Sequence, residues 1–177
     1  ISMEGRPTDH QPVMTRQVLS YLLPSRGRDY VDATVGSGGH SEAIMQASEP
    51  DGRLLGLDAD PSAIARAAPR LERFGGRVTL ETANFTGMSD VARAAGFSNA
   101  SGVLMDLGFS SPQIDDPRRG FSFQTEGPLD MRYDQRSGLS AQDVLARLRE
   151  KELADVIFQF GDERRSRQIA RRIVDRR

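Results

Sequence analysis

The sequence predicts a doubly wound, parallel α/β sheet followed by a helical region. Four short apolar segments have the length and composition of buried strands, and segments of helical periodicity separate them. A Gly-rich turn follows the first strand at residues 36–39, as it does in many nucleotide-binding sheets. Because strands that alternate with helices form βαβ units, the sheet is expected to be parallel.

The elements of the sheet follow one another in a regular order. A polar leader and an amphipathic helix at residues 12–23, ended by Pro24, occupy the first 28 residues. The strands are expected at residues 30–35, 52–57, 77–82 and 102–107. The helices between them are expected at residues 40–47, 61–74 and 86–95. Asp60 and Pro61 are typical of the N-cap and first turn of the second of these helices.

The fourth strand is expected to lie at an edge, because the predicted strand order is 3-2-1-4. Its sequence, G-V-L-M-D-L at residues 102–107, is nevertheless typical of a strand that is buried on both faces. A long apolar edge promotes aggregation unless something covers it. We therefore expect a further C-terminal segment, or a second chain, to complete the sheet beside this strand.

The regular alternation stops after Leu107. Residues 108–138 are rich in Gly, Pro, Ser and Asp without a clear period, and a loop of that length is usually functional or disordered. Helices are expected at residues 140–149 and 150–160, and residues 162–177 combine arginines with an apolar stripe of Ile169, Ile173 and Val174. The expected domains are therefore a leader and helix at 1–28, a ligand-binding sheet domain at 29–108, and a loop with helices at 109–177.

The composition excludes several classes of protein. The chain has no Cys, which excludes a disulfide framework, an iron–sulfur cluster, a thiolate zinc site and a Cys nucleophile. With only two His, a His-rich metal site is not expected, and we predict no metal. No segment approaches the ~18 apolar residues of a membrane span, and the first ten residues lack the apolar core of a signal peptide. A cytoplasmic location is therefore expected.

The charge is unevenly distributed along the chain. Residues 1–116 carry a net charge of -5 and residues 117–177 a net charge of +4, almost all of the basic side chains being Arg. The last third is therefore the candidate for binding a polyanion, with a genomic bias toward Arg codons as the alternative. The residues expected to contact phosphate are Arg164, Arg167 and Arg171 on one helical face, with Arg165 and Arg172 beside it, away from Ile169 and Ile173. A solvated helix face is the alternative.

A ligand site is expected at the carboxyl ends of the strands, where Gly36, Gly38 and Gly39 lie. Glycines allow a sharp turn and bring backbone N–H groups close to a ligand. The dinucleotide pattern requires a third Gly at position 41, where this chain has Ser41, so NAD is not favoured. An acidic residue four positions before the first Gly, Asp32, fits the S-adenosylmethionine (AdoMet) form of this turn instead.

Three further residues are expected around the same ligand. Asp58, after the second strand, is placed to accept hydrogen bonds from ribose hydroxyls, or else to cap a helix. Asp106, near the end of the fourth strand, could bind the cofactor or an amino group, or form an Asx-turn. Phe85, after the third strand, could pack on an adenine or belong to the core.

Several motifs together resemble the MraW family of ribosomal RNA small-subunit methyltransferases. They are H-Q-P-V-M at 10–14, D-A-T-V-G-S-G-G-H-S at 32–41, D-L-G-F-S-S-P-Q-I-D-D-P-R-R-G-F-S-F at 106–123, G-P-L-D-M-R at 127–132 and G-D-E-R-R-S-R-Q-I-A at 161–170. The resemblance implies a Rossmann-like class I methyltransferase sheet with an inserted helical substrate-binding subdomain, incomplete in this chain. It implies AdoMet contacts at Gly38, Gly39, His40, Asp58, Phe85, Asp106 and Gln113.

The resemblance also implies the reaction, which is methylation of a cytosine N4 in 16S ribosomal RNA. The cytosine amine is a weak nucleophile, and Asp106 or the turn at Ser110 and Ser111 is the candidate that accepts its N–H. The expected partners are 16S rRNA in the small ribosomal subunit and, as an option, a second copy of the chain. The alternatives are a methyltransferase for a small molecule or protein, and a catalytically silent RNA-binding module.

Overall fold

The structure, a computed structural model, describes residues 12–177 and divides into two compact units. The first unit ends at Gly108, and the second comprises Phe109–Arg177. The polar leader and His10, the first residue of the first motif, lie outside the described residues. None of the helices in the described part combines the length and hydropathy that a bilayer crossing requires.

The first unit contains a four-stranded parallel sheet. Its strands are β1 (Asp29–Asp32), β2 (Arg53–Asp58), β3 (Val78–Thr82) and β4 (Gly102–Leu104), and their order in the sheet is β3-β2-β1-β4. Its helices are α1 (Thr15–Leu22), α2 (Gly39–Ala47), α3 (Pro61–Leu71) and α4 (Met88–Ala94). The predicted parallel sheet and its strand order are confirmed, and the fold is of the Rossmann-like class.

The two central strands, β1 and β2, contribute to two cores because successive side chains point to opposite faces of a sheet. Tyr30 and Leu54 belong to one core, against side chains of α2 and α3, whereas Val31 and Leu55 belong to the other, against α4. Partly buried Leu19 and Leu22 of α1 join the first core. Helices therefore cover both faces of the sheet, which is the doubly wound arrangement.

The fourth strand differs from its prediction. It has three residues instead of six, and Val103 and Met105 are 44% and 42% exposed, although the sequence predicts burial on both faces. β4 pairs with β1 alone within the described residues, and the core that α4 covers does not include Val103. An edge strand has no neighbouring strand on its outer side, so its apolar side chains there remain accessible to water.

The second unit is helical. Its helices are α5 (Ser111–Asp115), α6 (Ala141–Arg147), α7 (Glu150–Gly161) and α8 (Ser166–Val174), and its core is formed by Leu153, Ala154 and Ala170. The prediction that residues 108–138 have no regular structure is wrong for the start of the segment, where α5 and a 3₁₀ turn at Pro117–Arg119 form. The rest is ordered by hydrogen bonds: buried Arg119 donates to the carbonyl oxygens of Arg132 and Tyr133.

Candidate functional site

The Gly-rich turn connects β1 to α2 at the carboxyl end of the sheet. Gly36 and Gly38 have φ of 57° and 80°, a left-handed conformation that favours glycine. Their N–H groups donate within the turn, that of Gly36 to Asp58 Oδ2 and that of Gly38 to the Val35 carbonyl oxygen. The expectation that these two N–H groups face a ligand is therefore wrong. The N–H groups without an intrahelical acceptor are those in the first turn of α2, which begins at Gly39.

Asp58 lies at the last position of β2 and is half-buried. Its Oδ2 accepts the Gly36 N–H and its Oδ1 accepts the Asp60 N–H, both at 2.9 Å. Burial raises the pKa of this carboxyl, and these two backbone N–H groups act in the opposite direction. A carboxylate has about four acceptor sites, so two remain available to hydroxyl donors. Asp60 caps α3 as expected by accepting the Ser62 N–H.

Asp32 is buried in the core below the Gly-rich turn and is not exposed next to it. The residue is fully buried, and its carboxylate accepts hydrogen bonds from Ser41 Oγ at 2.7 Å and from the Thr34 N–H at 3.1 Å. Burial raises its pKa to about 6, helped by the nearby charges of Asp58 and Asp106. Ser41, which breaks the dinucleotide pattern, thus fastens α2 to β1 from within the core.

Asp106 lies two residues beyond β4. Its N–H donates to Thr34 Oγ1 at 2.7 Å, which fastens the segment after β4 to the segment after β1. Its side chain is 66% exposed, and Oδ2 lies 3.8 Å from Nε2 of the nearly buried His40. Sequence reasoning did not identify Thr34, although it lies within the quoted motif at residues 32–41. No local sequence pattern around Thr34 indicates a hydrogen bond to Asp106, which lies 72 positions further along the chain.

Phe85 follows β3 and begins a short 3₁₀ turn whose N-cap is Asn84. The ring is 37% exposed and belongs to neither hydrophobic core of the first unit. The alternative that Phe85 is a core residue is therefore wrong. An exposed aromatic side chain at this edge of the sheet is suited to pack on a planar ligand.

The remaining candidates from the long segment belong to the second unit. Ser110 is the N-cap of α5, Ser111 is its first residue, and the Oε1 of buried Gln113 accepts the Ser110 N–H. Gln113 thus stabilises the start of α5, whatever else it contacts.

The basic residues of the last third do not share one face. Arg164 and Arg165 precede α8, so the helical spacing expected to align Arg164 with Arg167 and Arg171 does not apply. Arg172 lines a groove of about 540 Å³ together with Ile169 and Ile173, so the prediction that it points away from these residues is also wrong. All five arginines are exposed, and Arg167 and Arg171 lie one helical turn apart on the other side of α8.

The chain is similar to known proteins over nearly its whole length. The sequence profile described as the MraW methylase family matches residues 7–177. The chain belongs to the MraW methylase family. Ribosomal RNA small subunit methyltransferase H of Syntrophobacter fumaroxidans is 51% identical over 173 residues, which are 98% of this chain and 54% of that protein. The protein of the same name from Thermomicrobium roseum is 46% identical over 96% of this chain and 52% of its own length.

The chain spans about half the length of the MraW relatives it matches. Among solved structures, a SAM-dependent O-methyltransferase from Thermotoga maritima is 19% identical, covering 49% of this chain and 31% of its own, with a TM-score of 0.38. The fold of this MraW chain is established by its own strand order.

Proposed function

We propose that the chain belongs to an AdoMet-dependent methyltransferase that methylates the N4 amino group of a cytosine in 16S ribosomal RNA. The observation that carries the proposal is the set of polar groups at one edge of a parallel sheet: the turn before α2, Asp58, and Asp106 with His40. The membership of the MraW family and the names of the relatives support the substrate.

The residues at this edge fit AdoMet. Asp58 has acceptor sites left for ribose hydroxyls, and exposed Phe85 offers an aromatic face for adenine. The first turn of α2 supplies the N–H groups of Gly39 and His40. Gly38, at which the family resemblance implies a contact, is the other contact we propose in the turn, although its own N–H donates to the Val35 carbonyl oxygen. Gln113 remains a proposed contact from the second unit.

The chemistry requires a proton acceptor for a weak nucleophile. When bound, AdoMet supplies a methyl group on a positively charged sulfur. The exposed carboxylate of Asp106 is suited to accept a cytosine N–H, which increases the nucleophilicity of the nitrogen as the new bond forms. Ser110 and Ser111 stay secondary candidates for the same role. Methylation at cytosine C5 would require a Cys nucleophile, which the chain does not contain.

Calorimetry with AdoMet tests the cofactor site. Asp58→Ala is expected to weaken binding about ten- to a hundredfold, because a charge-assisted hydrogen bond contributes about 1.5–3 kcal/mol. Asp58→Asn keeps one acceptor oxygen and should have an intermediate effect. Asp90→Ala removes an exposed carboxylate of α4 and is the control. Equal affinity of wild type and Asp58→Ala would remove Asp58 from the site.

The RNA substrate is tested by methyl transfer to 30S particles, followed by digestion and identification of the modified base. We also propose phosphate contacts for Arg164, Arg165, Arg167, Arg171 and Arg172. Neutralising Arg167 and Arg171 should lower the slope of log affinity against log salt concentration by about 0.7 for each phosphate that no longer has an Arg partner. Neutralising Arg93, which pairs with Asp90 in the first unit, is the matched control. A salt slope that is unchanged in the double variant would contradict the phosphate contacts.

A further inference from the structure

The side chains of His40 and Asp106 face each other at the end of the sheet. Asp106 has no Arg or Lys partner among the described residues, and its only partner at ion-pair distance there is His40. The side chain of His40 is 10% exposed, whereas that of Asp106 is 66% exposed. A nearly buried imidazole therefore faces a largely exposed carboxylate.

The two nitrogens of His40 have different surroundings. Nε2 faces Asp106 Oδ2 at 3.8 Å, while Nδ1 is buried and has no hydrogen-bond partner among the described residues. A proton on Nε2 therefore faces an acceptor, whereas a proton on Nδ1 would be a buried donor without one, which is costly. These surroundings favour a neutral imidazole with its proton on Nε2.

Burial acts on the charge of His40 in the same direction. It lowers the pKa of the imidazole, and the charge of Asp106 opposes this shift. Asp106 also has carboxyls near it, since the charges of Asp106 and Asp58 both act on Asp32. A neutral imidazole orients a carboxylate through a hydrogen bond without the strong decrease in basicity that an Arg partner would cause.

We propose that His40 is a positioning residue, whose neutral Nε2–H turns the Asp106 carboxylate toward the target amino group. This role for the side chain differs from the cofactor contact that the family resemblance implies, and it rests on the proposed function of Asp106. The distance of 3.8 Å is longer than a hydrogen bond, and such contacts often shorten only in the complex with substrate.

The orientation of the carboxylate matters when the target nitrogen gives up its proton. The lone pair of the cytosine nitrogen forms the new N–C bond to the methyl carbon. The C–S bond breaks and its electron pair stays on sulfur, which becomes neutral. The nitrogen then transfers its N–H proton to the Asp106 carboxylate, and this exposed group releases the proton to water.

Nitrogen NMR of the imidazole tests the pair without any ligand. The chain has two His, so a His10→Gln variant leaves His40 as the only imidazole. We expect the Nε2–H tautomer and a pKa below the ordinary value of about 6.5. Asp106→Asn should lower this pKa further because it removes the charge that favours the imidazolium. Asp90→Asn is the control and should have no effect. A proton on Nδ1, or an unchanged pKa in Asp106→Asn, would overturn the proposal.

Turnover on 30S particles tests the role. His40→Phe should reduce kcat about tenfold to a hundredfold while AdoMet affinity stays the same, and His40→Gln, whose side-chain N–H can replace the Nε2–H, should restore part of it. Weaker AdoMet binding in His40→Phe with unchanged kcat would make His40 a cofactor contact and overturn the proposal. Absence of turnover in the wild-type methyltransferase to which the chain belongs would contradict the proposed function, whereas the NMR result would still decide whether the pair exists.

Discussion

Asp32 shows how much a single residue contributes to the junction of strand and helix. Its carboxyl has no contact with water, and it is held by Ser41 Oγ and the Thr34 N–H. These two donors do not fully offset the loss of hydration, since the pKa remains raised to about 6. The native fold therefore contains a carboxylate that is less stable when charged than it would be in the unfolded chain.

This raised pKa predicts a pH-dependent stability. Between pH 3.8 and about 6 the native chain binds a proton at Asp32 that the unfolded chain has released, so stability decreases as pH rises through this range. The decrease amounts to about 3 kcal/mol at most. Asp32→Asn should remove this part of the pH dependence, because its amide oxygen can accept the Thr34 N–H while its NH2 group donates to Ser41 Oγ.

Urea unfolding of wild type and Asp32→Asn at several pH values between 4 and 7 measures the difference. The difference in unfolding free energy should change across this range in favour of the variant as pH rises. Asp90→Asn, in an exposed ion pair on α4, serves as the control and should follow the wild type. Parallel curves for Asp32→Asn and wild type would contradict the prediction.

At the scale of elements, the segment between β4 and α6 depends on close backbone contacts. Gly120 has a left-handed φ of 69°, and a Cβ there would collide with the Pro128 carbonyl oxygen. The Met131 N–H donates to the Arg119 carbonyl oxygen at 2.9 Å, across the same part of the segment. Glycine thus allows two parts of the chain to approach closely where no helix or strand connects them.

Gly120→Ala is expected to loosen this segment. Gly138→Ala is the matched control, because Gly138 also has a positive φ but open space around it. The control should be destabilised by about 1–2 kcal/mol from backbone strain alone. Gly120→Ala should be destabilised by roughly 1–3 kcal/mol more because of the collision.

Hydrogen exchange at the Met131 N–H measures the effect locally. Exchange there should accelerate strongly in Gly120→Ala and less in Gly138→Ala. Equal rates in the two variants would show that the close approach to Pro128 is not important for the order of the segment.

At the scale of the whole molecule, the sheet ends on an apolar edge. Val103, Met105 and Leu107 are 44%, 42% and 66% exposed, and β4 has one strand neighbour among the described residues. A strand edge of this kind offers unpaired backbone groups together with apolar side chains to another chain. The expectation that a further segment or a second chain covers this edge stays a prediction.

Self-association of the 177-residue chain through β4 is the testable consequence. Val103→Lys should shift association to about tenfold higher concentration, equivalent to ~1.4 kcal/mol. Light scattering across a concentration series measures the shift. Tyr21→Lys, which removes an 87% exposed apolar side chain from α1, is the control. A monodisperse wild type, or equal effects of the two variants, would contradict the prediction.

Much of the first unit could be predicted from sequence because its signals are local. The period of apolar residues indicated four strands and the helices between them, and Asp60 with Pro61 indicated the start of α3. The motifs indicated the family, whereas the expectation that a ligand binds at residues 36–39 and the carboxyl ends of the strands stays a prediction. These features depend on residues within about one helical turn of each other, or on the rule that parallel strands end at one edge.

The tertiary structure decided which atoms are still available for function. Only the fold shows that the Gly36 N–H is already bonded to Asp58, that Thr34 holds Asp106, and that His40 faces Asp106 from a buried position. It also separated Arg172, which lines a groove with Ile169 and Ile173, from Arg167 and Arg171, and it placed Arg164 and Arg165 before the start of α8. Such pairs are distant in sequence, and no local pattern encodes them, because hydrogen bonds and burial depend on how the elements pack.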